Sequence, residues 1–392
     1  MFVSIHKAKG IIVLPDTLAN NRKIMHIVHT EADGGKGGQP LRIINESLGM
    51  QARGHQVTIV CPEEVPLNTL ARDAGLTVVN LPVGRKKIPN LLRLRAWLKH
   101  EAGHIDVINS HNSVDTWLVA LASATLRNPP PLVRTRHASG KPRNNRGTRW
   151  LFGTACAHVV TTGEALRHQL EEIGVPLSHS TSVPSGVDTA RFKPGDKHAA
   201  RQDCGLSEDA FWLGVVSHLR PNKGHSVLLQ ALAQIDNPHI RLAIVGEGPH
   251  RAALEQEIAA LGLQTRVVMA GHQREPQKWF PAFDIALSPS HDMEGVPQGV
   301  LQSLASRVAT IATDAGGTAD AVIDNQTGLL VGQRDAQALK AAIMRLYDDA
   351  ALRERLAQQG YEYLCSHFTR DCMLDAMEQV FRNASRQASS SR

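Results

Sequence analysis

Long apolar runs are missing from this chain of 392 residues: nothing approaches the roughly 20 consecutive apolar residues that a membrane-crossing helix needs. The opening stretch carries only the short run Ile11, Ile12, Val13 and Leu14, which Pro15 and Asp16 interrupt. It shows no leader-like apolar run and no small-residue cleavage site, so residues 1–22 read as an extension ahead of the first strand. Cysteine is scarce and odd in number: Cys61, Cys156, Cys204, Cys365 and Cys372 form no C-x-x-C pair. That excludes a disulfide framework and a structural zinc knuckle, and leads to the expectation of a reducing cytoplasm. H-E-x-x-H, Gly-x-Ser-x-Gly and a strand-end Asp-x-Asp are also absent, so neither a metalloprotease nor the simplest serine hydrolase fits, and no bound metal or cofactor is expected. Aromatics make up 4% and do not interleave with the basic runs, which argues against a nucleic-acid partner.

What is present is alternation. Short apolar runs and amphipathic stretches succeed one another through the whole chain, the pattern of an α/β fold with parallel sheets. In the first half, strands are expected at residues 24–29, 57–61, 77–81, 107–110, 132–136 and 158–161, with helices such as 41–53 and 90–100 between them. In the second half the strands fall at 212–217, 241–245, 266–270, 285–288, 310–313 and 328–331, with helices at 226–233, 249–261, 299–305 and 336–347. Two sets of about six strands, in a chain too long for one core, imply two doubly wound domains. The seam falls in the turn-rich segment 183–188, placing the first domain at 23–185 and the second at 186–369. The polar tail 384–392 reads as frayed.

Charge divides unequally between the halves. Residues 1–186 hold 22 Lys and Arg against 13 Asp and Glu, a net of +9, and the remainder holds 21 against 24, a net of −3. Residues 85–99 and 134–149 contain cations and no acid. Such a face suits an anionic membrane surface, a phosphorylated acceptor or plain solvation. Helix 90–100 sets Leu91, Leu92, Leu94, Trp97 and Leu98 beside its cations; it could lie in a membrane interface or turn Leu91, Leu94 and Leu98 to a core.

Several strand ends run into polar, glycine-rich loops. Residues 33–40 include Gly34, Gly35, Gly37 and Gly38, but Lys36 lacks the Ser or Thr that a P-loop requires. The segment Ser217-His218-Leu219-Arg220-Pro221-Asn222-Lys223-Gly224 follows a strand, and Arg220 and Lys223 there could neutralise a diphosphate or simply be surface cations. Gly246-Glu247-Gly248-Pro249 begins like a dinucleotide fingerprint, yet Arg251 occupies the third glycine position and Pro249 sits in the turn, so a tight turn suffices to explain Gly246 and Gly248. His111 and His137 follow strands on the rim expected to face the crevice, with Arg136 beside the second. Glu294 and Gly295 open the loop ahead of helix 299–305, where a carboxylate could accept from sugar hydroxyls or favour the helix dipole.

The order of these segments strongly resembles the family 4 retaining glycosyltransferases from Lys23 to about Arg382. Its most specific stretches are 183–192, 244–249 and 285–317, the last including Thr313-Asp314-Ala315-Gly316-Gly317. The resemblance implies the GT-B fold, with two facing Rossmann-like domains, the donor held by the second and the acceptor by the first. A terminal helix at about 370–386 would cross back onto the first domain. Glu294 would contact sugar hydroxyls, assisted by the amides after Gly295 at Val296 and Pro297's neighbours. Lys223 would bind the diphosphate, Gly37 and Gly38 would approach the donor phosphates, and His137 would lie near the transferred sugar. His111 and Arg136 would face the acceptor.

Two departures stand out against that family. Gln302 occupies the place of the usual ribose-binding Glu, and His218 that of the usual phosphate-binding Arg, for which Arg220 could substitute. The resemblance implies transfer of a hexose from a UDP- or GDP-sugar, with retention, to an envelope glycan or lipid-linked acceptor such as lipopolysaccharide. It also implies work at the inner face of the cytoplasmic membrane. A sugar-nucleotide epimerase or hydrolase of the same fold, or a homologue that binds without catalysis, are the alternatives.

Overall fold

The computed structural model describes residues 23–33, 38–137, 140–291 and 295–390. Thirteen strands form two all-parallel sheets among the described residues. The first contains β1 (His26–Thr30), β2 (Gln56–Cys61), β3 (Thr77–Asn80), β4 (Val107–Ser110), β5 (Leu132–Arg136), β6 (His158–Thr161) and β7 (Ser180–Ser182), in the order β3-β2-β1-β4-β5-β6-β7. The second contains β8 (Phe211–Val216), β9 (Ile240–Val245), β10 (Val267–Gly271), β11 (Ile285–Ser288), β12 (Ala309–Thr313) and β13 (Leu329–Val331), in the order β10-β9-β8-β11-β12-β13. Both sheets reverse direction of winding once, between β1 and β4 and between β8 and β11. Chains leaving the carboxyl ends of those neighbours diverge and leave a crevice there.

The doubly wound α/β class expected from the alternation is the one observed. Strand β7 escaped the sequence reading because Ser180-Thr181-Ser182 is short and polar; it exists only by pairing with β6. Strand β1 is displaced toward His29 and Thr30, both buried despite their polarity, while Ile24 stays 67% exposed. No helix among the described residues is long and apolar enough to cross a membrane.

Two crossings join the domains, and they run side by side. Val187 accepts from the Arg370 amide and donates to Phe368, and a Cβ on Gly186 would stand 2.4 Å from the Thr369 carbonyl. Beyond that point helix Arg370–Ser390 lies on the first domain. Met373, Leu374, Met377, Val380, Phe381 and Ala384 recur at helical spacing and bury one face against Ile27, Val57, Val107, Val133 and Val160. Arg53 pairs with Asp375 at 2.7 Å and Glu378 at 3.2 Å along its edge. The tail read as frayed is helical to Ser390, and its first residue, Ala384, is the last of the buried stripe.

Helix Ile88–Glu101 answers in part the question of its apolar face. Leu94 and Leu98 are fully buried, and Leu91 and Trp97 pack against the same cluster. Its first turns do the opposite: Ile88 is 74% and Leu92 58% exposed.

Met377 is fully buried at the centre of the returning helix. Met377→Ala should cost about 2–5 kcal/mol, read in urea denaturation as an earlier first-domain transition. A loss below about 1 kcal/mol would mean that the helix is only loosely seated.

Candidate functional site

The carboxyl ends of β8, β9 and β11 open on a cleft of about 750 Å³. Its wall is built from the loops the sequence singled out together with some it did not. Ser217, His218 and Lys223 come from the loop after β8, and Gly246 and Gly248 from the turn after β9. Pro297, Gln298, Gly299 and Gln302 come from the start of helix Gln298–Ala305, whose first amides have no intrahelical partner. Gly38, at the start of helix Gly38–Ala52, is the first domain's contribution to the lining. Helix N-termini beside a lysine make this wall favourable to an anion.

The glycines are set by backbone contact. Gly246 has φ 145°, and a Cβ there would fall 1.9 Å from the Ser217 carbonyl; one on Gly248 would fall 2.3 Å from that of Leu219. Gly246 and Gly248 lie in the tight turn expected of them, and that turn packs directly on the loop after β8. Lys223 ends the short turn Pro221–Lys223, which brings it to the cleft while Arg220 is left exposed outside the lining. Arg220 therefore does not take the position expected of a replacement phosphate ligand; His218 lines the cleft instead. His272 and Gln273 complete the wall beyond β10. Sequence reasoning passed over them, although the polar residues following strand 266–270 were the available signal. Glu294 and Gly37 lie outside the described residues.

Three glycines mark where the domains touch. A Cβ on Gly163 would lie 3.3 Å from the Cα atoms of both Gly295 and Gly317, and one on Gly295 would strike Thr162. At this contact the Val296 amide donates to the Thr162 carbonyl at 2.9 Å. Val296 was expected to offer its amide to the donor. Its amide is bonded across the domain boundary and its side chain is buried in the second core. Gln298 Nε2 donates to the Ser185 carbonyl at 3.0 Å, and the Glu164 amide donates to Asp320 Oδ2 at 2.8 Å, capping helix Glu164–Glu171 from the other domain.

On the first domain, the ends of β1, β4 and β5 bring three imidazoles into a row. His29 Nδ1 lies 2.8 Å from His111 Nε2, and His111 Nδ1 lies 3.0 Å from His137 Nε2. His29 and His111 are buried and His137 is half-buried. Burial, assisted by Arg42 and Arg134 nearby, holds His111 and His137 well below the ordinary imidazole range, and burial with Arg42 lowers His29 to about 3. All three are neutral. His111 thus does not face the crevice as expected; it stands behind His137, because β4 lies one strand further into the sheet. Arg136 also departs from the acceptor-side expectation. It is buried and donates to Gln169 at 2.9 Å and to the Gly140 and Leu166 carbonyls, bracing the loop after His137.

Beneath this row lies a buried acid pair. Glu31 accepts from the Asp33 amide and from Gln39, the two flanks of the glycine-rich loop. Asp115 accepts from Thr30 at 2.7 Å and from the His111 amide at 3.1 Å. Burial raises both carboxyls, and the Arg134 guanidinium opposes it.

Two doubly wound domains meeting over a cleft, with a lysine and helix N-termini on one wall and neutral histidines on the other domain, define the GT-B class of glycosyltransferase. Family models agree. "Glycosyltransferase Family 4" matches residues 36–191, and "Glycosyl transferases group 1" matches residues 196–363. A D-inositol 3-phosphate glycosyltransferase of Thermomonospora curvata is 30% identical over 299 residues, covering 67% of this chain and 68% of that protein. Another, from Geodermatophilus obscurus, is 29% identical over 356 residues, covering 79% and 77%. Among solved structures, Anabaena Alr3699/HepE in complex with UDP superposes with a TM-score of 0.82 at 20% identity, covering 92% of this chain and all of that one. The chain belongs to the family 4 glycosyltransferases and is a glycosyltransferase.

Burial raises the Asp320 carboxyl from 3.8 to about 6, against the lowering effect of the Glu164 amide. The folded protein thus retains a proton that the unfolded chain releases between pH 3.8 and about 6, and stability falls as pH rises through that window. Asp320→Asn keeps an acceptor for the Glu164 amide and removes the titration. The variant should show a smaller decline in Tm than the native protein over that range; identical pH profiles would contradict a raised Asp320 carboxyl.

Proposed function

We propose that this enzyme transfers a hexose from a nucleotide diphosphate sugar, with retained anomeric configuration, to a hydroxyl of a phosphorylated acceptor. The observation that carries the donor half is Lys223 on the cleft wall beside the N-terminus of helix Gln298–Ala305. A point charge and unpaired amides together suit a diphosphate. As the bond from the anomeric carbon to the phosphate oxygen breaks, its electron pair passes to that oxygen. Lys223 stabilises the charge, the acceptor oxygen forms the new bond, and its proton goes to the departing phosphate. Glu294 would hold the sugar hydroxyls, and His137 would stand on the sugar's other side. Gln302, on the cleft wall, can donate to and accept from a ribose diol. The scheme uses no cofactor or metal. UDP is the favoured nucleotide, since the superposing Anabaena protein was crystallised with UDP.

For the acceptor, the first domain's positive balance favours an anion. The relatives printed as D-inositol 3-phosphate glycosyltransferases support a soluble cyclitol phosphate. The exposed Ile88 and Leu92, flanked by the exposed cations Arg85, Lys86, Lys87 and Arg93, favour an envelope acceptor such as lipopolysaccharide, reached from an anionic membrane surface at its inner face.

A panel of UDP- and GDP-sugars read by thermal shift tests the donor, because a ligand at 100 times its Kd stabilises by about 2.7 kcal/mol. Lys223→Ala should cut transfer by about 100-fold while leaving the Tm of the unliganded protein within a few degrees. Unchanged turnover would overturn the role of Lys223, and donor consumption without any acceptor would identify a hydrolase or epimerase instead. Flotation with phosphatidylglycerol-containing vesicles separates the acceptor readings. Binding at low salt that is lost in Ile88→Asp/Leu92→Asp supports the membrane, and absence of binding leaves the soluble phosphate.

A further inference from the structure

The row of histidines carries more than a cleft-side imidazole needs. Each contact in it holds one proton, and each neutral ring has one proton to place. His111 belongs to both contacts, so its proton serves only one of them. If it donates through Nδ1 to His137, it must accept at Nε2 from His29. If it donates through Nε2 to His29, His137 must be the donor at the other contact. The row therefore has two arrangements, and both rings beside His111 change together.

The buried end chooses between them. His29 is fully buried, its Nε2 has no hydrogen-bond partner among the described residues, and its ring meets Phe381 of the returning helix edge-on at 6.3 Å. In the second arrangement this Nε2 carries a hydrogen with nothing to accept it; in the first it is a bare lone pair. Buried N–H groups without acceptors are the rarer defect in folded proteins. The geometry also resists escape by rotation. The rings stack pairwise at 5.1 and 5.3 Å with planes 29° and 28° apart, and the His111 amide is held by both Thr30 and Asp115.

We propose that His29 and His111 are positioning residues that fix the tautomer of His137, so that Nδ1 is its protonated nitrogen and Nε2 its acceptor. This rests on the reading of His137 as a sugar-side residue. It adds that the proton inventory of that residue is decided two strands away, under the returning C-terminal helix. The donor character of His137 Nδ1 then depends on an apolar seal at Phe381, and an acceptor at the buried end would reverse it where a structural role would ask only for volume.

Nitrogen-15 NMR of the full chain labelled at histidine reads the tautomers directly, with His29→Phe, His111→Asn and His137→Ala as assignment variants. The native protein should show Nδ1–H at all three rings. His29→Met sets a thioether acceptor and no donor beside His111 Nε2; it should shift His137 toward Nε2–H and lower kcat by about tenfold or more, with KM for the nucleotide sugar changing less than about twofold. His29→Phe, which offers no acceptor, should leave His137 with Nδ1–H. His29→Asn, which retains an N–H near the place of Nδ1, should restore most of kcat. Nε2–H at His137 in the native protein would overturn the proposal, as would His29→Met with tautomer and kcat both unchanged. If His29→Met does not fold, the native spectrum alone decides. His137→Ala with native turnover would remove the sugar-side role, while the tautomer measurement would still judge the relay.

Discussion

The two halves of this enzyme touch where three turns carry no side chains. Gly163, Gly295 and Gly317 approach so closely that any Cβ would meet backbone or a neighbouring Cα, and the Val296 amide reaches the Thr162 carbonyl through that gap. Much of the cleft depends on this contact. It sets the angle of the loop leading to helix Gln298–Ala305, and so the place of its N-terminal amides and of Gln302. It also joins the turn after β6 to the turn after β12, with Asp320 as the cross-domain cap. A glycine at each position permits a backbone seat that larger residues would prop open.

Charge is distributed more subtly than its tally. The first domain's net of +9 suggested a strongly basic face. Arg42, Arg134 and Arg136 are nevertheless buried, committed to Glu46, to strand-end carbonyls and to Gln169. Removing them from water lowers each guanidinium's pKa, burial being the dominant cause, Arg136 to about 10. The positive field of Arg42 and Arg134 adds to burial in lowering the nearby histidines, and so links the interior electrostatics to the imidazole row. Exposed cations remain around the start of helix Ile88–Glu101 and at Lys141, Arg143, Arg146 and Arg149.

Legibility in the sequence followed locality. Strands β4, β5, β6 and β11 were readable to the residue, because each contains at least two consecutive apolar residues close to polar turns. The loops after β8, β9 and β11 were legible for the same reason, since each follows a clear strand end. His29 was not, because a histidine inside a strand gives no local signal; it acquires a role only when β1 pairs with β4. Arg136 was read the other way round. A basic residue at a strand end looks like a ligand until helix Glu164–Glu171 is seen to supply its acceptors. Val296 was misjudged because its amide's partner lies more than a hundred residues away.

By itself the sequence determined the α/β class, the presence of two doubly wound sets of strands and several of the loops that line the cleft. Those properties follow from hydrophobic period and turn chemistry, which act over a few residues. Only the tertiary structure decided which side chains of those loops meet. It placed Lys223 on the cleft wall and Arg220 off it, buried His111 behind His137, and carried the helical tail to Ser390 over the first domain. These depend on strand order and on contacts between distant segments, where a polar residue's partner, and not its own type, determines what it does.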